Sequence, residues 1–141
     1  MNVYLESSVI VRRVFRQPHA LAEWGDWGHV FTSELTRIEA LKVLFRLRLS
    51  GELDDEMVAD KRAELEAVFD TADFLAVSPK VLARAAEPFP TTVGTLDSIH
   101  LATALLKENE IEGTLAFLTH DRQLGVAAYG LGFDVRGVAN L

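Results

Sequence analysis

The chain has 141 residues, 49% of them hydrophobic and 25% charged, which is the size and balance of one globular domain able to bury its own core. It has no cysteine, which excludes disulfide frameworks, zinc–thiolate sites and thiol nucleophiles. A net charge of −7 stands against the Lys and Arg excess of most nucleic-acid binders, and no apolar run approaches the length of a membrane span.

Val3-Tyr4-Leu5 suits a short buried strand, followed by a helix through Phe15 that Ser7 or Ser8 can cap. Pro18 predicts a short helical turn, broken at Gly25 and Gly28, and His29 to Thr32 a second strand. Ser33 can cap a long helix to about Leu49, with Leu35, Ile38, Leu41, Phe45 and Leu49 at the three-and-four spacing of an apolar helix face. Gly51 ends it, and Asp54 or Asp55 starts another helix to about Asp70. Phe74 to Val77 reads as a third strand, and Ser78-Pro79 as an N-cap and N1 proline opening a helix that stops before Pro88-Phe89-Pro90. Thr95 can cap a very apolar helix to about Lys107. Leu115 to Leu118 is a fourth strand, Asp121 to Tyr129 a helix, and Phe133 to Val135 a fifth strand. Strands alternating with helices imply a parallel sheet covered on both faces. There is no internal repeat or linker, so residues 1–141 read as one domain. The opening residues carry no secretory pattern, so the expected location is the cytoplasm.

Four acids stand out by position. Glu6 directly follows the first strand and Asp121 the fourth, and ligands of open parallel sheets bind beyond the carboxyl ends of strands where strand order reverses. Glu39 borders the apolar face of its helix, and Asp97 opens a helix apolar almost all round, where an acid needs a partner. Converging carboxylates repel one another and raise their own pKa values. A divalent cation with a taste for oxygen, Mg²⁺ or Mn²⁺, resolves the repulsion and supports phosphodiester hydrolysis. Each acid also has a plain structural reading: Asp121 as an N-cap, Asp97 as a helix-dipole partner, Glu39 paired with Lys42 or Arg46, Glu6 as a solvated strand end. Only their joint placement argues for a site.

The remaining motifs are quieter. His19, His29, His100 and His120 lack metal-ligand spacing, and His100 reads as a satisfied imidazole or one that supports the acids. There is no phosphate-binding glycine loop, and Gly130-Leu131-Gly132 reads as a helix stop. Ser8 and Thr119 are candidates to hydrogen-bond the acids, and Arg12, Arg13 and Arg37 to contact phosphate. Trp24 and Trp27 are expected to pack against the core.

Four stretches together resemble the PIN-domain family, and within it the VapC-like toxins of bacterial toxin–antitoxin pairs. They are Val3 to Val11 around Glu6, Thr32 to Ala40 around Glu39, Thr95 to Ala104 around Asp97, and Phe117 to Leu124 around Asp121. The resemblance implies an α/β, three-layer fold with a five-stranded parallel sheet of order 3-2-1-4-5. It also implies Mg²⁺- or Mn²⁺-dependent endoribonuclease activity, with Glu6, Glu39, Asp97 and Asp121 as catalytic and metal-binding residues. It further implies a homodimer and inhibition by a cognate antitoxin. One departure is visible: the family most often has Asp where this chain has Glu6. The alternative is a PIN-fold module that binds RNA or protein without cutting. A phosphoaspartate receiver, which also gathers acids at strand ends, would want a lysine after the late strand, and Leu118-Thr119-His120-Asp121 has none.

Overall fold

A computed structural model describes residues 1–141, and its elements follow the expected alternation. In chain order they are β1 (Asn2–Leu5), α1 (Ser7–Val14), β2 (His29–Ser33), α2 (Glu34–Leu49), α3 (Asp55–Phe69), β3 (Asp73–Leu75), α4 (Pro79–Ala85), α5 (Thr95–Glu110), β4 (Leu115–Leu118), α6 (Arg122–Gly130) and β5 (Asp134–Arg136). All strand pairs are parallel, and the sheet order is β3-β2-β1-β4-β5. β1 is central, so the connection from its end leads one way to β2 and the chain later returns on its other side at β4. The reversal of strand order therefore falls between β1 and β4, beside Glu6.

Alternation along the strands builds two core layers. Val3 and Leu5 of β1, Val30 of β2, and Ala116 and Leu118 of β4 face α1, α2 and α3, where they meet Val9, Ile10, Leu44, Leu65 and Phe69. Tyr4, Phe31 and Phe117 face the other way, onto Leu101 of α5 and Leu124, Ala127 and Ala128 of α6. α4 packs on the outer side of α5 through Val81, Ile99 and Ala102. Trp24 and Trp27 lie edge to face, 5.4 Å apart, against the first layer.

Local cap chemistry decides most boundaries. Ser33, Asp54, Ser78 and Asp121 each cap the helix that follows, accepting from the backbone N–H of Leu35, Met57, Val81 and Leu124. Three expectations differ. The Pro18 segment forms turns and no helix, with His19 in the left-handed region. The N-cap of α5 is Gly94 without a side-chain bond, so Thr95 is the first helical residue and not the cap. β3 stops at Leu75 instead of Val77, since only Asp73–Leu75 pair with β2.

The largest difference is the buried face of α2. Thr36, Ala40 and Leu44 point into the core, whereas Ile38, Phe45 and Leu49 are 57%, 43% and 89% exposed. The space between α2 and the sheet admits small residues at positions 36 and 40, so the helix turns its bulkier apolar row outward. Leu44→Ala is accordingly expected to cost about 2–5 kcal/mol, and Leu49→Ala to stay within about 0.5 kcal/mol, as read from denaturant midpoints. Equal costs for the two would restore the face that periodicity alone suggests.

Candidate active site

β1 ends at Leu5 and α1 begins at Ser7, so Glu6 is the hinge between them. Its N–H donates to Leu118 O at 3.0 Å, extending the β1–β4 ladder by one rung. The cap of α1 is Glu6 itself and not Ser7 or Ser8: its Oε1 accepts from Ser8 N at 3.1 Å and from Ser7 Oγ at 2.7 Å. Its Oε2 accepts from Thr119 Oγ1 at 2.7 Å and from Ser8 Oγ. Glu6 is only 6% exposed. An ionised carboxylate offers about four lone-pair sites, and here each oxygen accepts twice.

The same hydroxyls reach the opposite strand. Ser8 Oγ accepts from His120 N at 2.9 Å, and Thr119 Oγ1 accepts from Asp121 N at 3.0 Å. The start of α1 is thus tied to the junction of β4 and α6. Asp121 sits there as the N-cap of α6, with Oδ1 accepting from Leu124 N at 3.1 Å and the residue otherwise exposed.

Glu39 projects from the second turn of α2 towards α5. Its Oε1 lies 2.6 Å from Nε2 of the buried His100, whose Nδ1 is 2.7 Å from the hydroxyl of the buried Tyr4. Burial pushes the Tyr4 phenol well above its ordinary value, helped by the charges of Glu6 and Glu39 and partly offset by hydrogen bonding from Ser33. Tyr4 therefore keeps its proton and donates it to Nδ1, which leaves Nε2–H to donate to Glu39. His100 is a satisfied imidazole that holds an acid, as its position suggested. Pairing of Glu39 with Lys42 or Arg46 is not what forms.

Asp97 is different from the other three: no hydrogen bond or ion pair engages its carboxylate. Burial, then the charges of Asp121 and Glu6, push its pKa up to about 6; Glu39 adds to this and His100 works against it. A helix N-terminus alone would pull the value down. The upward direction means that burial, with the neighbouring acids adding to it, outweighs the helix terminus, so the helix-dipole reading of Asp97 is insufficient.

Among the arginines, Arg37 is committed elsewhere and does not serve phosphate: Nη1 donates to Glu66 at 2.9 and 3.2 Å, and the guanidinium lies over Phe69 and Phe74. Arg13 lies over Trp24. Arg12 has no such partner; burial holds the His120 imidazole below its usual value, the Arg12 charge adds to this, and the Gly137 carbonyl and Glu6 work against it. His120 is then neutral, with Nδ1–H donating to Gly137 O at 2.8 Å. Sequence reasoning gave no role at the site to Tyr4 or His120, and to Ser7 only that of a cap or a hydrogen bond to an acid. Only Ser7 had a local signal, its adjacency to Glu6; Tyr4 and His120 find their partners 96 and 17 residues away.

At the β1–β4 reversal the charges of Asp121, Glu6 and Glu39 all act on Asp97, and no Lys or Arg forms an ion pair with any of the four. In charge and donor type they fit a hard divalent cation, which oxygen ligands suit. As the side chains stand, no three acidic or imidazole groups are close enough to share one ion. Glu6 is turned into its hydroxyl cage and one oxygen of Glu39 towards His100, while Asp97 and the second oxygens of Glu39 and Asp121 remain uncommitted.

Comparison with known proteins agrees with this fold. The family model described as PIN domain matches residues 3–128. Ribonuclease VapC47 of Mycobacterium tuberculosis (strain CDC 1551 / Oshkosh) is 28% identical over 138 residues, covering 93% of each chain. In fold, the chain is similar to a toxin-antitoxin complex from Klebsiella pneumoniae, with TM-score 0.62 and 15% identity over 92% of this chain and 94% of that one. It is also similar to the crystal structure of PAE2754 from Pyrobaculum aerophilum, with TM-score 0.65 and 18% identity over 98% and 82%.

Proposed function

The chain belongs to the PIN domain family, and on that premise we propose that it is a divalent-metal-dependent endoribonuclease, the toxin of a toxin–antitoxin pair. The observation that carries the metal is Asp97, a carboxylate with no protein partner whose pKa is raised by its burial and then by three other acids at the strand-order reversal. The relative named as a ribonuclease aligns along nearly the whole chain, and a neighbour in fold is a toxin–antitoxin complex, which supports RNA as substrate and a cognate antitoxin as partner.

A bound Mg²⁺ or Mn²⁺ would neutralise the cleft, polarise the phosphodiester and lower the pKa of water. Asp97 and Asp121 offer uncommitted carboxylate oxygens to hold it. Glu39, locked by His100, is suited to orient the attacking water or accept its proton. Glu6, Ser8 and Thr119 fix the spacing of the two sides of the cleft. Arg12 is the cation best placed to meet phosphate. Without the cation, a cleft of four acids in a chain of net charge −7 would repel RNA. We further propose a cytoplasmic homodimer. The outward apolar row Ile38, Phe45 and Leu49, with Leu96 also half exposed, gives a protein partner a surface to cover.

One observation favours the second reading, a PIN-fold module that binds without cutting: the carboxylate of Glu6 has no free lone pair. Purified protein incubated with a structured RNA separates the two. The expected result is endonucleolytic fragments in Mn²⁺, none in EDTA, and recovery on adding Mn²⁺ back. RNA left intact under every metal would leave the binding module.

A further inference from the structure

We propose that Glu6 is a positioning residue and not a direct ligand of the ion, which Asp97 and Asp121 hold with water filling most of its shell. The inference rests on the metal-dependent reading above and concerns how this chain uses its unusual glutamate.

The argument is a count of lone pairs. Four donors occupy the two carboxylate oxygens of Glu6: Ser7 Oγ and Ser8 N on one, Ser8 Oγ and Thr119 Oγ1 on the other. To reach an ion, either oxygen must surrender a charge-assisted hydrogen bond. A Thr119 or Ser7 hydroxyl released in this way would be stranded, since Thr119 is fully buried and Ser7 nearly so. The extra methylene of Glu over Asp is what lets the carboxylate curl back to cap α1 and meet Thr119 across the strand gap at the same time.

The cage has an output. Thr119 Oγ1 receives Asp121 N while donating to Glu6, and Ser8 Oγ receives His120 N while donating to Glu6. Glu6 therefore sets the backbone that carries Asp121. Glu39 is not in the same position, because one of its oxygens accepts from His100 and the other has no partner. An ion held by two aspartates keeps several waters, as Mg²⁺ commonly does.

The test counts waters on bound Mn²⁺ by water-proton relaxation, with affinity from calorimetry, for wild type, Glu6→Gln and Asp121→Asn. Asp121→Asn keeps a good N-cap and should gain a water on the ion while binding it more weakly. Glu6→Gln should leave the water number unchanged and lower the metal-free melting temperature, because the amide nitrogen cannot accept from hydroxyls. At saturating Mn²⁺ its kcat should fall by about 10–100-fold, the range for partners outside the ligand shell, with KM for RNA unmoved. An extra water in Glu6→Gln overturns the proposal, as does an unmoved kcat. If Glu6→Gln fails to fold, Asp121→Asn decides: unchanged affinity and water number reject the two-aspartate site. Wild type that binds no Mn²⁺ by either method overturns the metal reading itself, and this inference with it.

Discussion

Asp97→Asn is expected to abolish RNA cleavage, by at least about 100-fold, the scale of losing one preorganised charged group in a sheltered site, while making the metal-free protein more stable at neutral pH. Both halves follow from one fact. The carboxylate is half-buried, unpartnered and surrounded by Asp121, Glu6 and Glu39, so its pKa is raised to about 6. An acid whose folded-state pKa exceeds its unfolded value binds its proton more tightly when folded. Its favourable contribution is present below the unfolded value and is lost as pH rises through about 6, after which the fold carries an unwelcome charge. Asparagine keeps the shape and removes that charge. The melting temperature of Asp97→Asn relative to wild type should therefore climb as pH rises from the unfolded value of 3.8 to about 6, then level off. Saturating Mn²⁺ should raise the wild-type melting temperature and leave that of the variant where it was. A variant that melts below wild type at pH 8 without metal would refute the account of Asp97 as a strained, ion-seeking acid.

What the sequence made legible was what local physics decides. The caps at Ser33, Asp54, Ser78 and Asp121 were readable because a short polar side chain bonds an N–H two or three residues away. Strand order came only with the family resemblance, since no local rule places β4 beside β1. Periodicity misjudged the α2 face because Ile38, Phe45 and Leu49 satisfy the helical spacing as well as Thr36, Ala40 and Leu44 do. Which row is buried depends on how close the sheet lies, and that is a tertiary matter. The four acids were identifiable as a set, yet their individual states were not. Glu6 as its own cage, Glu39 on His100 and Arg37 on Glu66 all arise from partners far along the chain. The outcome is a centre in which four donors hold Glu6, while Glu39 and Asp121 each keep one oxygen without a partner and Asp97 keeps both.

Gly137→Ala should be the most damaging conservative change outside the acids, because it strikes the cage from behind. Gly137 follows β5 with φ at +98°, and a Cβ there would lie 2.4 Å from Thr119 O and 3.1 Å from Thr119 C. Left-handed backbone alone costs an L-residue about 1–2 kcal/mol. Forcing atoms into a closed space adds about 1–3 kcal/mol, and here the obstacle is backbone, which cannot swing aside. Thr119 N is bonded to Arg136 O at 3.0 Å and His120 Nδ1 donates to Gly137 O, so the two strand ends have to part for the methyl to fit. Thr119 then moves, and with it the donor to Glu6 and the acceptor of Asp121 N. Gly113→Ala is the matched control: φ is +85° and nothing lies within 4 Å of its would-be Cβ. It should lose only the backbone share of the stability and keep wild-type Mn²⁺ affinity, whereas Gly137→Ala should lose more stability and bind Mn²⁺ more weakly. Equal melting temperatures and equal affinities in the two variants would mean that the β4–β5 end is not what holds the cage in register.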